Sequence, residues 1–190
     1  PLGYIKISST GAGLAGYYTG RLSDGGAIGV HSLVCVQVEE DSASTQAIGI
    51  RYAIDDVTED VNCEIIIYLT ETGFRVRNVT AGAWFGAAVA FDMNTQRVWL
   101  SVNLNLTEET LEILYRADGT PEIWEVVRYD AVSFVSVSDA SDVADILWGH
   151  ITGVADLRSR WWTSQHAQVN SGATAPEIDD VGYTGVDVYG

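Results

Sequence analysis

Short runs of alternating apolar and polar residues recur along most of this chain. The first is S-L-V-C-V-Q-V, and A-I-G-I-R-Y-A-I, C-E-I-I-I-Y-L-T and F-R-V-R-N-V follow it. A period of two places successive side chains on opposite faces of a β-strand. Polar and Gly-containing turns separate the runs at intervals of about eight to twelve residues, which is typical of a sandwich of two antiparallel sheets. The pattern therefore predicts an all-β fold, an antiparallel β-sandwich of jelly-roll type.

Residues 86–103 contain two apolar runs on either side of the polar sequence D-M-N-T-Q. In the second run Val98, Leu100 and Val102 share one face, and the residues between them share the other. A polar turn of this kind joins antiparallel strands. We therefore predict a β-hairpin in which Phe91 and Val98 lie on paired strands.

The ends of the chain differ from its middle. Residues 1–30 include a Gly-rich stretch without a period and are predicted to form an irregular N-terminal arm, whereas residues 31–153 form the sandwich. Residues 154–190 are predicted to be a C-terminal extension of extended surface chain. Two segments, residues 107–117 and residues 141–150, can be either helix or strand. In the first, Thr107 is a candidate N-cap and acids occupy the first turn, which suits a helix.

The charge balance excludes some classes of partner. The 190 residues carry 10 basic and 26 acidic side chains, a net charge of −16. Such a surface repels nucleic acid, which needs clustered cations, and it disfavours anionic membranes. No apolar run approaches the length of a spanning helix, and no basic-then-apolar leader is visible. Pro1 is what trimming of an initiator Met leaves, so we expect synthesis in a cytoplasm without a cleaved signal.

Cys35 and Cys63 are the only cysteines, and both lie in strand-like runs. Whether they pair is open. Buried free thiols are the favoured interpretation, because a disulfide framework normally has more cysteines.

Four segments resemble a SPRY-type domain of the concanavalin-like sandwiches. The run A-V-A-F-D-M-N-T-Q-R-V-W-L-S-V-N is similar to that family's G-V-A-x-D-x-x-x-x-x-V-W-F-x-x-N strand pair, although Leu104 replaces the glycine that usually follows. The runs S-L-V-C-V-Q-V and A-I-G-I match two upstream strands, and D-A-V-S-F resembles a downstream one without its proline. The resemblance covers roughly residues 31–150. It implies a concanavalin-like sandwich of the kind found in bacteriophage tail or capsid-surface proteins.

Catalytic and metal chemistry have weak candidates. Glu177 and Asp179 begin like the E-x-D-x-x-E motif of concanavalin-like glycoside hydrolases, but Gly182 replaces the third acid, and retaining hydrolysis needs a second carboxylate close by. The three histidines are scattered, and no nucleophile lies in a recognisable elbow. A loop of four acids has oxygen ligands that calcium accepts, but it lacks EF-hand spacing, so a solvated turn is favoured. These acids are Asp55, Asp56, Glu59 and Asp60.

The tryptophans are the more useful candidates for recognition. Trp84, Trp161 and Trp162 lie in loop-like contexts, and Arg158 and Arg160 precede the last two. Exposed indoles stack on sugars and anchor protein interfaces. We predict that these five residues bind a ligand or partner. Burial in the core is the alternative for any one of them, although Trp161 and Trp162 cannot both point to the same face of a strand.

Two functions follow from this pattern. The favoured hypothesis is a non-enzymatic structural or recognition component of a phage particle, which docks to other virion proteins or to copies of itself through its arms. The alternative is a carbohydrate-binding, lectin-like module that recognises a host surface glycan. Glycan hydrolysis is a third and less favoured hypothesis. No cofactor is expected apart from the calcium considered above.

Overall fold

A computed structural model describes residues 3–9, 15–18, 27–41, 46–55, 61–119, 124–130, 142–152 and 156–170. Twelve β-strands and no helix occur in these ranges. The strands are β1 (Ile5–Ser9), β2 (Ala15–Tyr18), β3 (Ala27–Glu40), β4 (Ile48–Asp55), β5 (Val61–Thr70), β6 (Gly73–Asn78), β7 (Ala83–Ala90), β8 (Val98–Asn105), β9 (Thr110–Ala117), β10 (Glu125–Tyr129), β11 (Asp142–His150) and β12 (Leu157–Asn170).

The strands form two six-stranded antiparallel sheets. Sheet I has the order β1-β12-β3-β8-β9-β10, and sheet II has the order β2-β11-β4-β5-β6-β7. Six strands per sheet and antiparallel pairing throughout confirm the predicted β-sandwich.

Alternation along each strand builds the core between the sheets. On β4 the side chains of Ile48, Ile50, Tyr52 and Ile54 are fully buried. Register pairing sets them beside inward-facing side chains of β5, including Ile65 and Ile67. Sheet I contributes the same pattern from β3, β8 and β9: Val34, Val36, Val38, Val98, Leu100, Val102, Leu111 and Ile113. Burial of these aliphatic side chains is the main favourable term in folding.

The predicted hairpin at residues 86–103 is wrong. The strand β7 pairs with β6 in sheet II, whereas β8 pairs with β3 and β9 in sheet I. Residues 91–97 therefore cross from one sheet to the other instead of turning back. The face pattern on β8 is confirmed, because Val98, Leu100 and Val102 are fully buried.

Hydrogen bonds hold this crossing segment in place. Asp92 Oδ1 accepts from the backbone N–H of Asn94 and of Thr95, both at 3.0 Å. The Asn94 side chain then donates to the carbonyl oxygen of Glu39 on β3 at 3.0 Å and to Glu71 Oε2 in the β5–β6 turn at 3.1 Å. The crossing segment thus ties the two sheets together at this end of the sandwich. A polar turn with these bonds looks locally like a hairpin turn, which explains the error.

Both open helix-or-strand segments are strands. Residues 110–117 form β9, in which four alternate side chains are buried, and residues 142–150 form β11. The strand conformation of β9 turns Leu111, Ile113 and Tyr115 to the same face, toward the core. An eight-residue strand buries these alternate side chains more completely than an amphipathic helix of that length.

The strand β12 lies where extended surface chain was expected. It pairs with β1 on one side and with β3 on the other, so it is an interior strand of sheet I. The strands β1 and β2 lie within the predicted N-terminal arm and pair in sheet I and sheet II respectively. Hence parts of both predicted terminal segments contribute to the sandwich.

The two cysteines are buried free thiols, as predicted. Cys35 belongs to β3 in sheet I and Cys63 to β5 in sheet II. Burial raises the pKa of each thiol to about 12. Both thiols are therefore protonated at neutral pH and are neither nucleophiles nor metal ligands in this state.

All three histidines are buried and hydrogen-bonded to serines. His150 Nε2 on β11 lies 3.2 Å from Ser159 Oγ on β12, and this hydrogen bond joins the two sheets. The Nδ1 and Nε2 atoms of His166 lie 2.7 Å from Ser32 Oγ and Ser164 Oγ respectively. Burial lowers the pKa of His150 to about 4 and that of His166 to about 3. These side chains are neutral parts of the core, not exposed bases.

We predict that acid destabilises the protein through these histidines. Their folded pKa values lie below the unfolded value of about 6.5, so the stabilisation is complete above that pH and is lost as the pH falls toward about 4. The fall in the pKa of His150 from about 6.5 to about 4 corresponds to about 3 kcal/mol. Urea unfolding of the native protein and of His150→Gln across this range measures the effect. The free energy of unfolding of the variant should depend less on pH, and parallel curves would contradict the assignment.

We predict that Gly73→Ala is strongly destabilising. Gly73 has a φ of 145°, and an added Cβ would overlap the carbonyl oxygen of Val89 on β7. The expected loss in the free energy of unfolding is about 3 kcal/mol or more. Gly82→Ala is the control, because its φ is 67° but open space surrounds it, and only about 1 kcal/mol should be lost. Equal losses in the two variants would show that the close approach of β7 is not the cause.

Candidate functional site

Trp84 is the centre of an aromatic and cationic cluster on the outer face of sheet II. Its ring centroid lies 5.6 Å from that of Tyr68. The guanidinium carbons of Arg75 and Arg77 lie 4.2 and 5.4 Å from the indole centroid. These four residues, called the Trp84 cluster below, come from three adjacent strands, β5, β6 and β7.

The alternation of β6 places the two arginines. Phe74, Val76 and Asn78 point inward and are buried, so Arg75 and Arg77 point outward. Cross-strand pairing then sets Arg75 beside Tyr68 and Arg77 beside Trp84. Neighbours directly opposite on paired strands lie close enough for ring and guanidinium contact.

An irregularity in β7 opens a pocket beside the cluster. Phe74 pairs with Val89 and Val76 with Phe85, so three residues of β7 face the single residue Arg75. Such a bulge re-aims the strand locally. The resulting pocket has a volume of about 180 Å³. Its lining residues are Thr70, Thr72, Gly73, Phe74, Arg75, Trp84, Ala88 and Val89.

Arg75 differs from most arginines of this chain in its partners. Within the described ranges five arginines form an ion pair with a carboxylate: Arg51, Arg97, Arg128, Arg158 and Arg160. Arg75 has no such ion pair among the described residues, and its buried Nε has no hydrogen-bond acceptor there. Its guanidinium stacks on Trp84 and lines the pocket, so its N–H donors are available to a ligand.

The other predicted site residues lie on the opposite face of the sandwich or inside it. Arg158 pairs with Glu40, and Arg160 pairs with Glu39, on the outer face of sheet I. Trp162 also lies there, with its ring centroid 5.4 Å from that of Tyr4. The sequence-predicted set is thus divided between two surfaces, and Trp84 is alone on sheet II.

Trp161 is in the core and does not reach either surface. It is 2% exposed, packs 5.0 Å from Trp148 of sheet II, and donates from Nε1 to Ser159 Oγ at 2.9 Å. Trp161 pairs with Val36 and Thr163 with Cys35, so Trp162 is the extra residue of a bulge. The prediction that Trp161 contacts a ligand is therefore corrected: alternation turns it inward, and Trp162 outward.

Trp162 belongs to a line of side chains across the outer face of sheet I. It contacts Tyr4 on one side and the guanidinium of Arg97 on the other, at 5.2 Å. Arg97 pairs with Asp118, which also accepts from Trp99 Nε1 at 2.9 Å. Trp99 is opposite Arg116, which lies 4.9 Å from the ring of Trp124. We call Tyr4, Trp162, Trp99 and Trp124, with Arg97 and Arg116, the aromatic row.

The remaining predicted sites fall largely outside the described residues. Glu177 and Asp179 are outside, as are Asp56, Glu59 and Asp60 of the acidic loop, and only the backbone of Asp55 is described. In the described part of the chain no three His, Cys, Asp or Glu side chains are grouped as a metal site requires. Calcium at the acidic loop stays a prediction.

Sequence reasoning missed Tyr68, Arg75 and Arg77 around Trp84. The signal was present in F-R-V-R-N-V, where two arginines at a spacing of two must share one strand face. What the pattern could not supply was the pairing of this strand with the one that carries Trp84.

Comparison with solved structures identifies the fold as a concanavalin-like, lectin-type β-sandwich. The marine PL-14 alginate lyase from Aplysia kurodai superposes with a TM-score of 0.56 and 10% identity, over 87% of this chain and 82% of that one. The VIP36 exoplasmic/lumenal domain in its Ca2+/Man3GlcNAc-bound form gives a TM-score of 0.50 and 11% identity, over 84% and 78%. The xylan β-1,4-xylosidase from Bacillus halodurans C-125 superposes with a TM-score of 0.51 and 10% identity over 74% of this chain. The matched region spans only 28% of that enzyme.

No protein-family model and no curated protein matches the sequence. At these identities the structural similarities show the fold alone. They confirm the concanavalin-like part of the sequence resemblance, and the SPRY and phage parts stay predictions.

We predict that truncation of Trp161 lowers the free energy of unfolding much more than truncation of Trp162. Trp161→Ala removes a fully buried ring and should lower the free energy of unfolding by about 3–5 kcal/mol. Trp162→Ala acts on a half-buried surface ring and should cost about 1 kcal/mol or less. Urea unfolding of both variants checks the inward and outward placement, and a larger loss for Trp162→Ala would contradict it.

Proposed function

We propose that this protein is a carbohydrate-binding module and that the Trp84 cluster with its pocket is the binding site. The observation that carries the proposal is the combination in one pocket of an indole, a guanidinium without a carboxylate partner among the described residues, and two threonines. Sugar rings present apolar C–H faces, which pack on aromatic rings, and hydroxyl groups, which need fixed donors and acceptors.

The fold supports this proposal over the virion hypothesis. The VIP36 domain shares the sandwich and was determined in a Man3GlcNAc-bound form, so this fold holds a glycan in that protein. A virion role, with docking to other virion proteins or self-association through the arms, has no support beyond the sequence pattern and stays a prediction.

Binding is favoured over catalysis by the chemistry of the pocket. The eight lining residues include no carboxylate, histidine or cysteine. Glycoside hydrolysis uses a pair of carboxylates flanking the scissile bond. The alginate lyase and a part of the xylosidase share this fold, so the fold does not distinguish binding from catalysis. The choice of binding over catalysis therefore rests on the lining residues.

We predict that glycan binding requires Trp84 and Arg75. Screening on an array that includes neutral and uronate-containing oligosaccharides should identify a bound glycan, whose affinity is then measured by calorimetry. Trp84→Ala should weaken binding at least about tenfold, since stacking and area burial at an aromatic contribute more than about 1.4 kcal/mol. Arg75→Gln should weaken a uronate ligand more than a neutral one, because it removes the cation that pairs with the carboxylate.

Tyr17→Ala is the control, since it truncates an exposed aromatic side chain of sheet II outside the pocket. It should leave affinity for the array ligand unchanged. Absence of glycan binding at millimolar concentration, or equal losses in the Trp84 and Tyr17 variants, would refute the proposal.

A further inference from the structure

The aromatic row extends over all six strands of sheet I. Tyr4 directly precedes β1, Trp162 is on β12, Trp99 on β8 and Arg116 on β9, and Trp124 directly precedes β10. On β3, Cys35 pairs with Trp99 on one side and, on the other, with Thr163, which directly follows the bulged Trp162. Three of the six tryptophans of the chain thus lie on one line across the strands.

The line is outward-facing along its whole length. The neighbours of its members on the same strands, Trp161, Val98, Leu100, Tyr115 and Ala117, are buried toward the core. Alternation therefore turns the members of the row away from the core. Tyr4 is 42% exposed, and the three indoles are half-buried.

The dimensions of the row suit a long, thin ligand. Neighbouring strands lie about 4.8 Å apart, so six strands span about 24 Å. The indoles of Trp162, Trp99 and Trp124 fall on every second strand, an interval of about 10 Å. That interval is comparable with the length of a disaccharide unit in an extended, unbranched polysaccharide.

Carboxylate pairing at two arginines of this surface favours a ligand without charge. Arg97 pairs with Asp118, and Arg160, whose guanidinium carbon lies 5.0 Å from the Tyr4 ring centroid, pairs with Glu39. Because these cations are already neutralised, an anionic chain gains no ion pair with them, and the net charge of −16 repels it. The paired guanidinium and carboxylate groups still offer donors and acceptors to hydroxyl groups.

The apolar part of this face is too small on its own for a stable contact with a second copy of the chain. With the flanking positions Leu33, Leu114 and Val126, it measures about 24 Å by 14 Å, or about 340 Å². A standard protein interface buries about 800 Å² on each partner. A polysaccharide chain, by contrast, fits a surface of this width.

We propose that the aromatic row binds an extended, uncharged polysaccharide that runs across the strands of sheet I. This surface is separate from the Trp84 cluster, which lies on the other sheet, and the two sites are tested independently.

The experiment measures depletion of the protein from solution by microcrystalline cellulose, crystalline chitin and insoluble mannan. The native protein should be retained on at least one of them, and Trp162→Ala and Trp124→Ala should each reduce the association constant about tenfold. Retention should persist in molar salt, because stacking is not screened. For the retained polymer, soluble oligomers should compete more strongly as they lengthen to span the row.

Tyr17→Ala is the control, because it truncates an exposed aromatic side chain of sheet II outside both proposed sites, and it should be retained like the native protein. Trp84→Ala is measured in parallel. Near-ultraviolet circular dichroism checks that each variant is folded. The proposal would be overturned by no retention on any of the three polymers, by loss of retention in salt, or by unchanged retention in both row variants. It would also be overturned if the native protein were a dimer that the row variants dissociate. A loss confined to Trp84→Ala would instead assign polysaccharide binding to the pocket.

Discussion

Burial of inward-facing aliphatic side chains between the two sheets is the interaction on which the rest of this protein depends. Side chains such as Ile50 and Ile67 from sheet II form one buried cluster with Val36 and Leu100 from sheet I. Because the period of a strand is two, every residue turned inward fixes its neighbours outward. The core therefore decides which residues are available to a ligand: burying Phe74 and Val76 exposes Arg75, and burying Trp161 exposes Trp162.

The polar groups inside the core follow from the same constraint. His150 and His166 occupy inward positions, where hydrogen bonds to the ring nitrogens stabilise a neutral imidazole. Ser32 and Ser164 bond the two nitrogens of His166, and Ser159 bonds Nε2 of His150, whose buried Nδ1 has no partner among the described residues. The hydrogen bond between His150 and Ser159 joins the two sheets, so part of the specificity with which they stack comes from a polar contact that is sensitive to protonation. Lowering the pH therefore acts on the sandwich itself and not only on its surface.

The sequence determined local features well and long-range features poorly. Alternation predicted the strands and the sandwich, and it predicted the faces of Val98, Leu100 and Val102. It could not predict that residues 91–97 cross between sheets, because a turn rich in Asp and Asn has the same local chemistry in a hairpin and in a crossing. It also could not place Arg75 beside Trp84, since that contact depends on the register of β6 with β7 and on the bulge that opens the pocket. Alternation separates the faces of Trp161 and Trp162, but which of the two rings is buried depends on the pairing of β12 with β3, which no local pattern marks.

The use of arginine links the two outer faces. The chain has nine arginines and a single lysine. Among the described residues, the guanidinium groups of five arginines lie over an aromatic ring. A guanidinium is planar and weakly hydrated, so it stacks on an indole while its edge keeps N–H donors free, which an ammonium group does not do. On sheet I the stacked arginines Arg97 and Arg160 are also paired with carboxylates. On sheet II Arg75 stacks without such a pair among the described residues. The same combination of residues thus leaves Arg97 and Arg160 neutralised on one face and Arg75 as a localised cation on the other, and this difference in pairing underlies the different ligands that we propose for the two faces.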